Sequence, residues 1–242
     1  MERSKKASSK RERMIYCGVD EAGRGPVIGP MVVAGVCINE EEIRILSNFI
    51  KRDSKGYTKN KRNSLYQIII RILGRRQYIY HIVDAYEINK WMEAGRKLNE
   101  LELKHFTNIL CELLSNMPDT DEYKKIIYVD SPDIKPERFG LKLKEKIENC
   151  IGYSSRIEVV CEHKADERYL PVSIASIIAK VIRDKEIEKL NELIGVFGSG
   201  YPSDYRTRIF LKKLIDNNEL QKYYRYIRLY WKTLRKLEGV KD

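Results

Sequence analysis

The chain has 242 residues, with 46 Lys+Arg against 35 Asp+Glu, a formal net charge of +11, and 43% hydrophobic residues. That length allows one large domain, or one domain with a small appendage, and the grouping of apolar positions into runs excludes wholesale disorder. The positive excess favours polyanions and leaves nucleic acid and an anionic membrane surface both open. No apolar run approaches the roughly 20 residues that cross a bilayer, so an intracellular, unanchored protein is expected.

Residues 1–13 are rich in Lys, Arg and Ser without an apolar period and read as a basic mobile arm. Ile15 to Val19 and Met31 to Ile38 are predicted buried strands, joined by the Gly/Pro-rich stretch Ala22 to Pro30, and Gln77 to Asp84 adds a third β-branched and aromatic run. Three neighbouring strands suggest an antiparallel start to a sheet. A helical pattern near Leu98 to Leu114, a strand at Ile126 to Asp130, a helix near Lys135 to Asn149 and a strand at Ile157 to Cys161 then alternate, which implies parallel crossovers and helix-covered faces. Ile174, Ile177, Ile178, Val181 and Ile182 recur at helical spacing and predict an amphipathic helix from Val172 to about Leu193. Gly198 and Gly200 break it. The tail from Tyr205 to Leu237 reads as mostly helical, with a basic and aromatic face that could line a nucleic-acid groove.

Five cysteines (Cys17, Cys37, Cys111, Cys150 and Cys161) are dispersed without C-x-x-C pairs, so reduced core cysteines are expected. The histidines His81, His105 and His163 are widely separated and read as single packed or surface residues.

Asp20 and Glu21 stand where the first strand runs out, Asp130 closes Ile126 to Val129 in the same way, and Asp166 precedes the long helix by a few residues. Taken singly, each of these aspartates is better explained as a solvated turn residue or a cap. Together they can converge on one sheet edge, where four anions would repel unless cations sit between them. Hard divalent ions with oxygen ligands suit such a set, and two of them would serve phosphodiester hydrolysis. The adjacent pair Asp20-Glu21 followed by Ala-Gly-Arg-Gly favours this reading. Gly23 and Gly25 allow close backbone approach to a ligand, and Arg24 offers forked donors to a phosphate.

The stretch Gly18-Val-Asp-Glu-Ala-Gly-Arg-Gly-Pro-Val-Ile-Gly-Pro-Met-Val-Val-Ala-Gly35 closely resembles the opening motif of ribonuclease HII, the type 2 ribonuclease H family. Asp53-Ser-Lys55, Leu98-Asn-Glu100, Tyr128-Val-Asp130, His163-Lys-Ala-Asp166, Ala175-Ser-Ile-Ile-Ala-Lys180 with Arg183-Asp184, and Gly198-Ser-Gly-Tyr-Pro-Ser-Asp204 follow in the family's order. Trp231-Lys-Thr-Leu234 is similar to the archaeal and eukaryotic branch. The resemblance implies an α/β fold, a ribonuclease H-like five-stranded mixed sheet flanked by helices. It places a catalytic domain at residues 14–197 and a C-terminal helical substrate-binding region at 198–242.

It implies that Asp20, Glu21, Asp130 and Asp166 bind two Mg²⁺ or Mn²⁺ ions and are the catalytic residues. The activity implied is cleavage of the RNA strand of RNA/DNA hybrids and nicking 5′ of ribonucleotides embedded in duplex DNA, leaving 3′-hydroxyl and 5′-phosphate ends. Gly23, Arg24, Gly25 and Tyr201 would recognise the ribonucleotide junction, and a backbone group near a 2′-hydroxyl can tell RNA from DNA. Lys55, Asn99, Ser173, Ser176, Lys180 and Arg183 are further substrate-binding candidates. Two departures from the family pattern stand out: Gly56-Tyr57 after Lys55, and Tyr205 where Pro is usual. The C-terminus shows no Gln-led aromatic tail for a sliding clamp. A cytoplasmic enzyme is expected (nuclear if eukaryotic), working as a monomer or as a heterotrimer subunit. Two rivals stay open on the residues: a nuclease of related fold acting on DNA junctions, and a non-catalytic nucleic-acid-binding module.

Overall fold

A computed structural model describes residues 13–50, 56–117, 123–152 and 156–237. The expected basic arm lies outside these residues except for Arg13, which opens the first strand. Strand β1 (Arg13–Ala22) pairs antiparallel with β2 (Met31–Asn39), in a register that sets Ile15 against Asn39 and Ala22 against Val32. Helices α1 (Glu40–Leu46) and α2 (Lys59–Ile72) lead to β3 (Tyr78–Val83), antiparallel to β2. Helices α3 (Ala85–Glu93) and α4 (Leu98–Ser115) precede β4 (Tyr123–Asp130), and α5 (Pro136–Ile151) joins β4 to β5 (Ile157–Glu162). β4 is parallel to β1 and β5 to β4, giving a mixed sheet in the order β3-β2-β1-β4-β5. The antiparallel start and the parallel crossovers are those predicted.

Short α6 (Ala165–Arg168) and long α7 (Leu170–Ile194) follow, then α8 (Tyr205–Asp216), a 3₁₀ turn at Leu220–Tyr223, and α9 (Lys232–Leu237). The tail is thus less helical than predicted. Asn217 caps α8, Asn218 takes a left-handed φ of 56°, and the chain then pairs Ile227 with Ile28 in a β-bridge. Helices α1 to α3 were not anticipated, although each carries a starting signal: Asn39 with Glu42 forms a capping box, and Thr58 and Asp84 cap the other two.

Successive strand residues point to opposite faces. Met31, Val33 and Cys37 therefore join Cys17, Val19, Ile127 and Val129 in one core under α4 and α5, packed by Phe106, Ile109, Leu113, Phe139 and Leu143. Val32, Ala34, Val36 and Ile38 join the other, with Leu65 and Ile69 of α2 and Ile174, Ile177, Ile178 and Val181 of α7. Each fully buried Val, Leu, Ile or Phe contributes about 1.5–3 kcal/mol. α7 crosses β1 so closely at Gly18 that an added Cβ would overlap the backbone of Pro171 and Val172.

A third core lies where Val27 and Ile28, in the β1–β2 loop, meet Ile187, Phe197, Leu211, Leu214, Ile227 and Leu234. The β1–β2 loop is thereby tied to the C-terminal segment.

The expectation of five reduced cysteines is corrected. The β1–β2 register sets Cys17 opposite Cys37 and the two are disulfide-bonded, as are Cys111 and Cys150 between α4 and α5, leaving Cys161 as the free thiol. Spacing along the chain does not reveal a cross-strand or interhelical pair. For the same reason His81 on β3 and His105 on α4 are not single: their Nδ1 atoms lie 3.1 Å apart, and His105 Nε2 is 3.2 Å from Glu87.

Candidate active site

The parallel register pairs Val19 with Val129, so the next residues, Asp20 and Asp130, leave the ends of β1 and β4 side by side. Val19 and Val129 face α4 and α5; by alternation both aspartates are directed to the opposite face, toward α7. Asp166 arrives from α6, entered through the left-handed turn at Lys164 (φ 59°). One carboxylate oxygen from each aspartate lies within 4.8 Å of the other two, the one such acidic group among the described residues. Burial and then the neighbouring Asp130 push Asp20 up to about 7, while the Ser176 hydroxyl and the Lys180 ammonium oppose the rise. Lys180 Nζ is 3.9 Å from Asp166. The Ala165 amide donates to Asp130 (3.2 Å), and the Ser173 hydroxyl donates to the Asp166 carbonyl. Ser173 and Ser176 are buried beside the aspartates, as Asp20 and Asp166 themselves are.

Glu21 is placed differently from the predicted quartet. One residue after Asp20, it emerges on the α4 face, where Glu102 meets it. Burial and then Glu102 hold its carboxyl well above the usual range, and Glu102 itself is raised to about 7 by burial against the lowering pull of Arg24. Glu21 Oε2, Glu102 Oε1 and Asp166 Oδ1 are buried without a hydrogen-bond partner. Glu102 is tied to Arg24, whereas the three converging aspartates offer the hard oxygen donors that fit divalent cations of the Mg²⁺ or Mn²⁺ type.

Glu102 escaped the sequence reading. Its signal was an acid on the apolar stripe of α4, four residues after Leu98 and four before Phe106.

Arg24 pairs with Glu102 and donates to Asn99 Oδ1 (2.6 Å), which places Asn99 beside the loop, and Asn99 donates in turn to Asp133 (3.3 Å). Gly23 has φ +84°, and an added Cβ would run into the Arg183 side chain. Arg183 is buried. It donates to the Ser199 carbonyl (3.0 Å), and its guanidinium carbon lies 4.9 Å from the centre of the Tyr201 ring. Tyr201 is 38% exposed and adjoins Gly25. The acidic group, residues 23–25, Lys180 and Tyr201 thus line one end of the sheet. Lys55 lies outside the described residues. Tyr205, the departure from Pro, is the first residue of α8 behind the Asp204 cap, a position that Pro also suits.

Residues 17–234 match the family model for ribonuclease HII. The ribonuclease HII of Methanothermobacter thermautotrophicus is 45% identical over 226 residues, covering 92% of this chain and 98% of that protein. The crystal structure of ribonuclease H2 from Pyrococcus horikoshii superposes with a TM-score of 0.77 at 40% identity, covering 93% of this chain and 98% of that one. The chain belongs to the ribonuclease HII family. It is a hydrolase, an endoribonuclease of RNA/DNA hybrids with a ribonuclease H-like fold. The ribonuclease HII of Archaeoglobus fulgidus, solved in complex with PCNA, is similar as well (TM-score 0.74, 39% identity, 92% of this chain and 96% of that one). In this chain, residues 238–242, on which the expectation about a clamp tail rests, lie outside the described residues. No helix among the described residues is long and apolar enough to cross a membrane.

Sequence reading also missed Arg228 and gave Trp231 no part in the site. Arg228 is fully buried and donates to the carbonyls of Gly23 (2.7 Å), Arg24 (2.9 Å) and Gly29 (3.0 Å), while Trp231 Nε1 donates to that of Gly25 (3.1 Å).

Proposed function

We propose that this chain cuts the RNA strand of RNA/DNA hybrids, and nicks duplex DNA on the 5′ side of an embedded ribonucleotide, by two-metal hydrolysis that leaves 3′-hydroxyl and 5′-phosphate ends. The observation that carries the reading is the convergence of Asp20, Asp130 and Asp166 within 4.8 Å, at the end of the strand that leads into residues 23–25. These aspartates would hold two Mg²⁺ or Mn²⁺ ions, with Glu21 completing the donor set from the α4 side. Such ions, when bound, supply Lewis acidity for water activation and for stabilising the leaving oxygen.

The remaining work falls to the protein. Ser176 and Lys180 oppose the rise that burial and Asp130 impose on the Asp20 carboxyl. Lys180, 31% exposed and 3.9 Å from Asp166, can meet a phosphate oxygen at the edge of the acidic group. Gly23, Arg24 and Gly25 present backbone and a guanidinium to the ribose whose 2′-hydroxyl marks the cleavage point. Tyr201, backed by Arg183, offers a flat face to the next sugar, where a second hydroxyl would crowd the ring. The C-terminal segment, with α8 basic along Arg206, Arg208, Lys212 and Lys213, would carry the duplex beyond the cut by phosphate contacts.

An Asp130→Asn variant tests the assignment. On an RNA/DNA hybrid with Mg²⁺ or Mn²⁺, the parent should yield 5′-phosphorylated fragments and the variant should bind the hybrid while cutting it at least 10³-fold more slowly. Undiminished cleavage by the variant would overturn the acidic site.

A further inference from the structure

The loop between β1 and β2 reaches its position without regular structure of its own, and one residue two hundred positions away holds most of it. Arg228 Nη2 donates to the Gly23 carbonyl, Nη1 to that of Arg24 and Nε to that of Gly29, while its backbone N–H donates to Val27 (2.8 Å). Trp231 Nε1 takes the Gly25 carbonyl. Arg228 is the largest fully buried side chain among the described residues. A buried guanidinium is expensive to desolvate, and an apolar side chain of similar volume would hold a core as well or better. What an apolar residue could not do is bind three carbonyls from both ends of one loop with a rigid fork of donors.

The peptide bond supplies the consequence. The described chain has no cis peptide, and in a trans peptide the C=O and the following N–H point in opposite directions. With the Gly23 and Arg24 carbonyls drawn inward to the guanidinium, the amide N–H groups of Arg24 and Gly25 are turned outward. Pro26 has no N–H to turn. Consecutive outward amides of this kind form a concave donor site for an oxygen ligand.

We propose that Arg228, assisted by Trp231, is a positioning residue of the reaction: by binding the carbonyls of residues 23–25 it aims the Arg24 and Gly25 amides at the scissile ribonucleotide. The role rests on the assignment of these residues to ribonucleotide recognition made above. It makes the C-terminal segment a working part of the site, since Arg228 and Trp231 lie beyond α8. Arg228 touches neither the substrate nor the aspartates. Its loss should therefore leave divalent-ion binding intact while misplacing the reacting sugar, and a displacement near 1 Å costs on the order of 10²-fold in rate.

The experiment compares the full chain with Arg228→Gln, Arg228→Lys and Trp231→Phe on a duplex carrying one ribonucleotide. It reads kcat and KM, the Mn²⁺ concentration for half-maximal rate, and the melting temperature. Arg228→Gln should lower kcat about 10²-fold, with KM and the Mn²⁺ midpoint within threefold of the parent. Arg228→Lys keeps the charge but not the fork and should not restore kcat. Trp231→Phe removes one donor at a part-exposed position and should lower kcat several-fold with little change in melting temperature. If Arg228→Gln does not fold, Trp231→Phe decides the matter. Parental kcat in folded Arg228→Gln, restoration by Arg228→Lys, or parental kcat in Trp231→Phe when the glutamine variant does not fold would each overturn the proposal. An inactive parent, or an Asp130→Asn variant that still cuts, would instead overturn the functional reading on which it rests.

Discussion

Asp20→Asn should move stability and activity in opposite directions. Burial and Asp130 carry this carboxyl from 3.8 to about 7. For a carboxyl raised on folding, the folded chain keeps the proton while the unfolded chain has lost it. The stability it contributes is full below about 3.8 and is lost as pH rises through about 7. Above that point the ionised group costs the metal-free fold roughly 4 kcal/mol, at 1.36 kcal/mol per pH unit of displacement. Part of that cost is repulsion shared with Asp130 and Asp166, and the favourable contact with Lys180 disappears with the charge. A net gain of about 2 kcal/mol is therefore expected for the isosteric Asn at pH 8, which for a chain of this length is roughly 4–8 °C in melting temperature. Thermal melts in EDTA at pH 8 and pH 5 check this: the variant should melt higher at pH 8, and the difference should shrink at pH 5. Adding Mn²⁺ should raise the parent's melting point by mass action and the variant's much less. Cleavage should fall by at least 10³-fold. A variant less stable than the parent in EDTA at pH 8, or one that cuts within tenfold of the parent, would refute the reasoning.

Glu102→Gln removes the buried partner of Arg24 while keeping its shape; cleavage of a single-ribonucleotide duplex should fall roughly tenfold with the Mn²⁺ midpoint unchanged, as read by steady-state kinetics. Gly18→Ala puts a Cβ into the backbone at Pro171 and should cost about 3 kcal/mol or more, through displacement of α7 or through strain, measurable by urea denaturation. Burial lowers both His81 and His105 below 6.5. Below about pH 6.5 the unfolded chain then binds more protons, so their contribution to stability is present above that pH and is lost on acidification. His105→Asn should accordingly flatten the fall in stability between pH 7 and pH 5 relative to the parent.

Much of this architecture was legible in the sequence. Five apolar runs gave the strands, and their order with the intervening helical patterns gave both the antiparallel start and the parallel crossovers. Period-2 alternation could also have separated Asp20 from Glu21, since adjacent strand residues cannot share a face. The motif grouped the two acids together, and only the fold shows Glu21 turned to Glu102. Helices α1 to α3 were missed because their apolar stripes are short and interrupted by charge, although the caps at Asn39, Thr58 and Asp84 announced them. The cross-strand cysteines and the His81–His105 pair were illegible for another reason: they depend on long-range register that spacing does not encode. Arg228 belongs to the same class. In sequence it is one more basic residue in a basic tail, and its meaning comes from a loop 199 to 205 residues earlier whose carbonyls it binds.

Cleavage of an end-labelled duplex carrying one ribonucleotide, with and without Mg²⁺ and beside its all-DNA twin, tests the central claim most directly. A single metal-dependent nick immediately 5′ of the ribonucleotide is expected, and none in the twin. A nick in the all-DNA duplex, or cleavage that persists in EDTA, would contradict it.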